Sequence, residues 1–121
     1  MKMLIVLTSV SCVPGTDHKT GTWLEELAAP YYVFMDAGAT VTLASVQGGA
    51  APLDPLSEAA AAQTAETRRF LEDPVARAAL ENTMILTGID PADYAGQNYN
   101  PTYAQAGIVG RFFKIGVSYK L

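Results

Sequence analysis

Three hydrophobic patterns of different period follow one another within the first 46 residues, and their order restricts the fold more than any other feature of the chain. Residues 3–10, MLIVLTSV, are a continuous apolar run followed by Pro14, Gly15 and Asp17, the pattern of a strand buried on both faces and then a loop. From Thr22 the period lengthens. Trp23, Leu27, Tyr31 and Phe34 fall on one helical stripe, with Gly38 where the helix should stop. Residues 40–46, TVTLASV, return to β-branched alternation and close on Gly48-Gly49. Strand, helix, strand at this spacing is a βαβ unit. It predicts a parallel sheet with a right-handed crossover, with the opening run as its first, central strand.

Local signals refine this outline. Thr22-Trp23-Leu24-Glu25 has the spacing of a capping box, which starts the helix at Thr22. Pro30 lies inside the helix and is expected to kink it or cut it short, because it lacks a backbone donor and crowds the preceding turn. On the same wheel Glu25 points away from the stripe and Glu26 lies at its edge, so Glu26 is the carboxylate expected to be partly buried. The Gly48-Gly49 pair has neither dinucleotide-binding nor Walker spacing and precedes Pro52 and Pro55, which makes it a turn. Further helical pieces are expected over 63–72 and 74–80, with Pro74 in the first turn of the second. Asp90-Pro91-Ala92-Asp93 is turn chemistry.

Charge and cysteine content exclude several function classes. The net charge of −4 and a pI near 4.7 leave no clustered basic surface for nucleic acid beyond Arg68 and Arg69. One cysteine, Cys12, rules out an internal disulfide, and with one histidine, His18, it cannot supply a usual zinc site. A reducing, cytoplasmic compartment fits. The rival reading of the amino terminus is an export signal, with Ser9-Val10-Ser11-Cys12 as a loose lipoprotein cleavage site; its basic region is only Lys2. Alone in its loop, His18 reads as a solvent-exposed residue.

Composition then divides the chain. All 12 acidic residues lie before Gly96, whereas residues 96–121 carry Arg111, Lys114 and Lys120 and no acid. Residues 1–95 are therefore expected to form the α/β part, and residues 96–121 a divergent tail with one amphipathic strand. In that tail Phe113, Ile115, Val117, Tyr119 and Leu121 alternate with a largely polar set. The alternation suits a half-buried strand, and equally a strand of a transmembrane barrel.

The stretches MKMLIVLTS, KTGTWLEELAAPYYVFMDAGATVTLASVQGG, PLDPLSE, QTAETRRF and ADYAG resemble the amino-terminal part of the PfpI-like superfamily. These are class I glutamine amidotransferase-like proteins that include the parkinsonism-associated deglycase and the glyoxalase III and heat-shock chaperone branch. The resemblance implies an incomplete flavodoxin-like three-layer α/β sandwich, a homo-oligomer, and cofactor-independent chemistry on a small 2-oxoaldehyde, or else chaperone or peptidase function. It also implies a nucleophilic cysteine on a sharp strand-to-helix turn, a nearby histidine, and a glutamate from the first helix. That glutamate maps onto Glu26. A carboxyl beside a thiol tunes its ionisation, and the thiolate is the species that attacks.

After Ala92-Asp93-Tyr94-Ala95-Gly96 the sequence departs from the family. Relatives continue into a Pro-Gly-Gly-His-Gly-type loop and later a Cys-His elbow, and residues 97–121 contain neither. Cys12 follows the first strand and does not correspond to the nucleophile. Gly110-Arg111-Phe112 and the alternation after it resemble the carboxy-terminal strand of TonB-dependent outer-membrane receptors. The expectation is a truncated or chimeric family member without its nucleophile and catalytically inactive. The alternatives are a non-catalytic oligomeric binding or chaperone-like subunit, and an envelope protein with a barrel-type strand. No metal, cofactor or nucleic acid is expected, and no membrane contact outside that last alternative.

Overall fold

The computed structural model describes residues 1–94. Strand β1 (Lys2–Leu7), helix α1 (Leu24–Asp36) and strand β2 (Thr40–Ser45) form the βαβ unit. Helices α2 (Ala65–Glu72) and α3 (Pro74–Glu81) follow, and then a two-residue strand, β3 (Met84–Ile85). All pairings are parallel and the order is β1-β2-β3, an α/β arrangement that matches part of a flavodoxin-like fold. β2 is therefore the middle strand. Among the described residues β1 has one strand neighbour, β2, and a second neighbour, which would make it central as expected, would lie outside them.

The register explains which face is covered. Ile5 pairs with Leu43 and Leu7 with Ser45, so Ile5, Leu7, Val41 and Leu43 share one face of the pleat. These four sheet residues join the core cluster, which also takes Leu24, Leu27, Ala28, Tyr31 and Tyr32 from α1, Phe70 from α2 and Ala76 from α3. The three helices consequently lie on one side of the sheet. Leu24, Leu27 and Phe70 are fully buried, each stabilising the fold by roughly 1.5–3 kcal/mol relative to an exposed side chain. On the opposite face Val6 pairs with Ala44 and Ala44 with Met84; Val6 is 48% and Met84 47% exposed. β1 is not buried on both faces.

Helix α1 departs from the expected wheel. Its buried positions 24, 27, 28, 31 and 32 follow the i, i+3, i+4, i+7, i+8 pattern, whereas Trp23 is 38% exposed and Phe34 only half-buried. The helix begins one residue later than expected for a Thr22 cap. Thr22 is already committed to extended pairing: its N–H donates to the Pro52 carbonyl and its carbonyl accepts from Asp54 N–H, both at 2.9 Å. Trp23 is the N-cap, without a side-chain cap bond. Pro30 does not cut the helix, which continues to Asp36. It ends as the sequence indicates. Gly38 adopts φ +90°, and its N–H bonds Met35 O while Ala39 N–H bonds Phe34 O, the two bonds of a Schellman motif.

Helices α2 and α3 have strong caps. Thr64 and Thr67 exchange side chain-to-backbone bonds at the start of α2. Asp73 accepts from Val75 and Ala76 N–H at the start of α3, with Pro74 in its first turn. The amphipathic strand expected within 96–121 lies outside the described residues.

Candidate functional site

In a parallel α/β sheet, ligands bind in the crevice outside the carboxyl ends of the strands. Here that rim comprises the loop after β1, the start of α1 and the loop after β2. Hydrogen bonds and backbone pairing tie these segments together. Gln47 N–H donates to Ser9 Oγ at 2.9 Å, and Thr22 bridges Leu53 in parallel. Gly21 lets the two backbones meet: a Cβ there would stand 2.5 Å from the Pro52 carbonyl oxygen, a contact no side chain tolerates without moving the chain.

Below this rim, Ser45 at the end of β2 is fully buried and shares a 2.7 Å hydrogen bond with Thr83. The Thr83 hydroxyl donates to Gly49 O at 2.5 Å, and Gly49 and Thr83 exchange backbone bonds of 2.9 and 3.0 Å. Gly48 and Gly49 have φ of +73° and +74°. The pair is a turn that holds the two loops at β2, as expected.

Glu26 stands in the first turn of α1, at the end of the helix that topology places on this rim. It is exposed, and Glu25 is half-buried, the reverse of the burial expected for the two. The cause is the rotated stripe: with Leu24, Ala28 and Tyr31 facing the core, Glu26 falls on the opposite side of the helix. Among the described residues its carboxylate has no hydrogen-bond or ion-pair partner. A carboxylate at a helix amino terminus is favoured by the helix dipole.

Cys12 lies in the loop leaving β1, half-buried, where it forms an antiparallel bridge with Lys19. Val13 N–H to His18 O and Thr20 N–H to Ser11 O close this small hairpin at 2.9 and 3.0 Å. His18 is exposed. The structure places Cys12 and His18 on one loop but brings neither into hydrogen-bonding contact with Glu26. Among the described residues no three His, Cys, Asp or Glu side chains gather as metal ligands, and no helix is long and apolar enough to cross a membrane.

The polar network that sequence reasoning missed lies on the helical side. Tyr32 donates to an Asp73 carboxylate oxygen at 2.8 Å, and Arg69 stacks over the Tyr32 ring at 3.8 Å while bonding both Asp36 oxygens at 2.8 Å. Burial, and then the bond to Asp73, push the Tyr32 phenol well above its usual range. The Tyr32 hydroxyl, followed by the α3 amides, holds the Asp73 carboxyl below its usual value. Pro74 marked the first turn of α3, but the bond of Asp73 to a tyrosine 41 positions earlier carried no local signal. A cleft of about 270 Å³ between α1 and α2 is lined by Tyr32, Val33, Asp36, Glu66 and Arg69, the last paired with Asp36.

Among known proteins, no protein-family model matches the chain, and no curated protein does. Solved structures do match. Rapid Encystment Protein 24 kDa of Francisella tularensis is 31% identical with a TM-score of 0.70, over 77% of this chain and 40% of that one. Glyoxalase III from Candida albicans is 28% identical with a TM-score of 0.63, over 77% of this chain and 40% of that one. A further crystal structure reaches 41% identity and a TM-score of 0.56, over 70% and 34%. The chain thus spans well under half the length of the structures it matches.

Proposed function

Because the chain carries a segment of the PfpI-like superfamily, we propose that it holds the carboxylate side of a site for reactive carbonyls and lacks the nucleophilic side. In this reading Glu26 is the acid that in intact relatives stands beside a thiol. There the thiolate adds to the aldehyde carbon of a 2-oxoaldehyde and the oxygen takes up a proton; transfer of hydrogen from that carbon to the neighbouring ketone carbon oxidises the first and reduces the second, and water then breaks the C–S bond of the thioester to release a 2-hydroxy acid and the thiol. No external oxidant is needed. The likeness to glyoxalase III from Candida albicans supports this substrate class.

One observation carries the prediction of inactivity. The sole cysteine, Cys12, sits in the β1–α1 hairpin paired with Lys19 and makes no hydrogen bond with Glu26. Losing the nucleophile removes most of an enzyme's rate. The 121-residue chain is therefore expected to consume methylglyoxal no faster than buffer. Turnover by wild-type protein that is abolished in Glu26→Gln would replace this reading with an active enzyme.

A second reading, a non-catalytic subunit that works by association, is favoured by the half-exposed Val6 and Met84 on the sheet face away from the helices. Chaperone-like binding belongs to this reading. A cytoplasmic place suits both, since the chain's single thiol needs no oxidising compartment.

A further inference from the structure

We propose that a cleft between α2, α3 and the segment before α2 binds a free α-amino acid with an aliphatic side chain. The cleft measures about 360 Å³, within the range of small-ligand sites. Neither Glu26 nor Cys12 lines it, so the proposal goes beyond the carbonyl chemistry and is independent of it. Leu53, Leu71 and Leu80 form an apolar floor, each half-buried and packed against the core cluster. The fully buried Phe70 completes that floor.

Three charged side chains line the same cleft: Glu58, Arg77 and Glu81. Arg77 and Glu81 stand one turn apart on α3, the spacing at which opposite charges on a helix can meet. They do not meet: among the described residues the one ion pair is Arg69–Asp36. The Arg77 side chain makes a single hydrogen bond, from Nη1 to Leu71 O at 3.4 Å, although a guanidinium carries five N–H donors. Among the described residues the Glu58 and Glu81 carboxylates accept no hydrogen bond; the Glu58 group that does is its backbone carbonyl. Charges of both signs thus line one small gap without closing it.

That arrangement selects the head group of the ligand. A bare carboxylate would meet Arg77 but also two like charges, and a bare ammonium would meet the two glutamates but also the guanidinium. A zwitterion matches all three. Its carboxylate takes the planar fork of Arg77 in two parallel bonds, and its ammonium donates to Glu58 and Glu81. The leucine floor favours an aliphatic side chain over a polar one. The walls are pinned before any ligand arrives: Gln63 Nε2 donates to Glu58 O at 2.8 Å, Ala51 N–H to Leu80 O at 3.1 Å and Asp54 N–H to Thr22 O at 2.9 Å. A site preformed in this way loses less freedom on binding.

The test is a titration of the full 121-residue chain with L-leucine, followed by methyl and arginine side-chain NMR. The Leu53, Leu71 and Leu80 methyl signals and the Arg77 Nε–H signal should shift together and saturate with a Kd on the order of 1 mM. Isocaproate, which lacks the ammonium, and isoamylamine, which lacks the carboxylate, should each bind about tenfold more weakly. Arg77→Gln should weaken leucine binding about tenfold with an unchanged far-UV spectrum, and Arg68→Gln, exposed and outside the cleft, should bind like wild type. The analogue series needs wild-type protein alone, so it decides the matter even where a variant fails to fold. No saturable shift at about 10 mM leucine overturns the proposal. So does isoamylamine binding as tightly as leucine, which would make the cleft a site for cations, and so does leucine binding undiminished in a folded Arg77→Gln. Methylglyoxal turnover bears on none of these results, so this proposal and the catalytic reading fail separately.

Discussion

The helical side of the sheet and its carboxyl-terminal rim are built around the same helix, and they have opposite character. On the helical side, Tyr31, Tyr32 and Phe70 meet edge-to-face at centroid distances of 5.0–6.4 Å, and the Tyr32 hydroxyl, Asp73 and Arg69 all have partners. On the rim, Glu26 is exposed and has no hydrogen-bond or ion-pair partner among the described residues. The difference separates stability from chemistry. What α1 contributes through Leu24, Leu27, Ala28, Tyr31 and Tyr32 holds the segment together, and Glu26, on the other side of the helix, takes no part in that packing.

The largest effect should come from the closed side. Phe70→Ala removes a fully buried ring that touches both tyrosines and should cost about 3–5 kcal/mol, a large share of a small domain's stability. Urea unfolding followed by circular dichroism would read it; a loss below about 1 kcal/mol would mean that the aromatic cluster is not where the stability resides.

Gly21→Ala probes the seam between the two regions. Its Cβ would stand 2.5–2.6 Å from the Pro52–Leu53 backbone, so the loop must shift, at a cost of about 1–3 kcal/mol. The shift should appear as chemical-shift changes at Thr22, Glu26 and Leu53 with the Tyr32 and Phe70 signals little moved. Changes spread over the aromatic cluster would break the distinction between rim and core.

Asp73→Ala should cost about 1–2 kcal/mol through the lost α3 cap. The sign of its pH dependence follows from the lowered carboxyl: the contribution is complete above the ordinary aspartate range, near pH 3.9, and is lost as pH falls through the lower folded value. Wild type and Asp73→Ala should therefore converge in stability on acidification through this window, with the gap intact at pH 6. The smallest effect belongs to Asp36→Asn. The Asp36–Arg69 pair is more than half exposed on both sides, and such pairs contribute little. Its urea midpoint should match wild type within error.

Much of this architecture was legible in the sequence because local periodicity and tertiary packing agree there. The apolar run of β1, the alternation of β2, the Gly38 stop and Pro74 at the start of α3 all carry their causes within a few residues. The misreadings have tertiary causes. Thr22 looked like a cap, but its backbone is used by Pro52 and Asp54, some 30 residues away. Choosing the stripe by its largest aromatics pointed to Trp23 and Phe34; the pattern at 24, 27, 28, 31 and 32 was equally present and is the one the sheet selects. That rotation is why Glu26 is exposed. β3, two residues long, is defined by its pairing with β2 and has no period to detect.

The central claim, that Glu26 and Cys12 do not form a catalytic pair in this chain, is most directly tested by the pH dependence of Cys12 alkylation. Iodoacetamide rates measured across pH 5–10 report the thiolate fraction. The account predicts superimposable profiles for wild type and Glu26→Gln, with Cys12→Ser confirming that the signal is the single thiol. A profile displaced by Glu26→Gln would place that carboxylate beside the thiol and contradict the account.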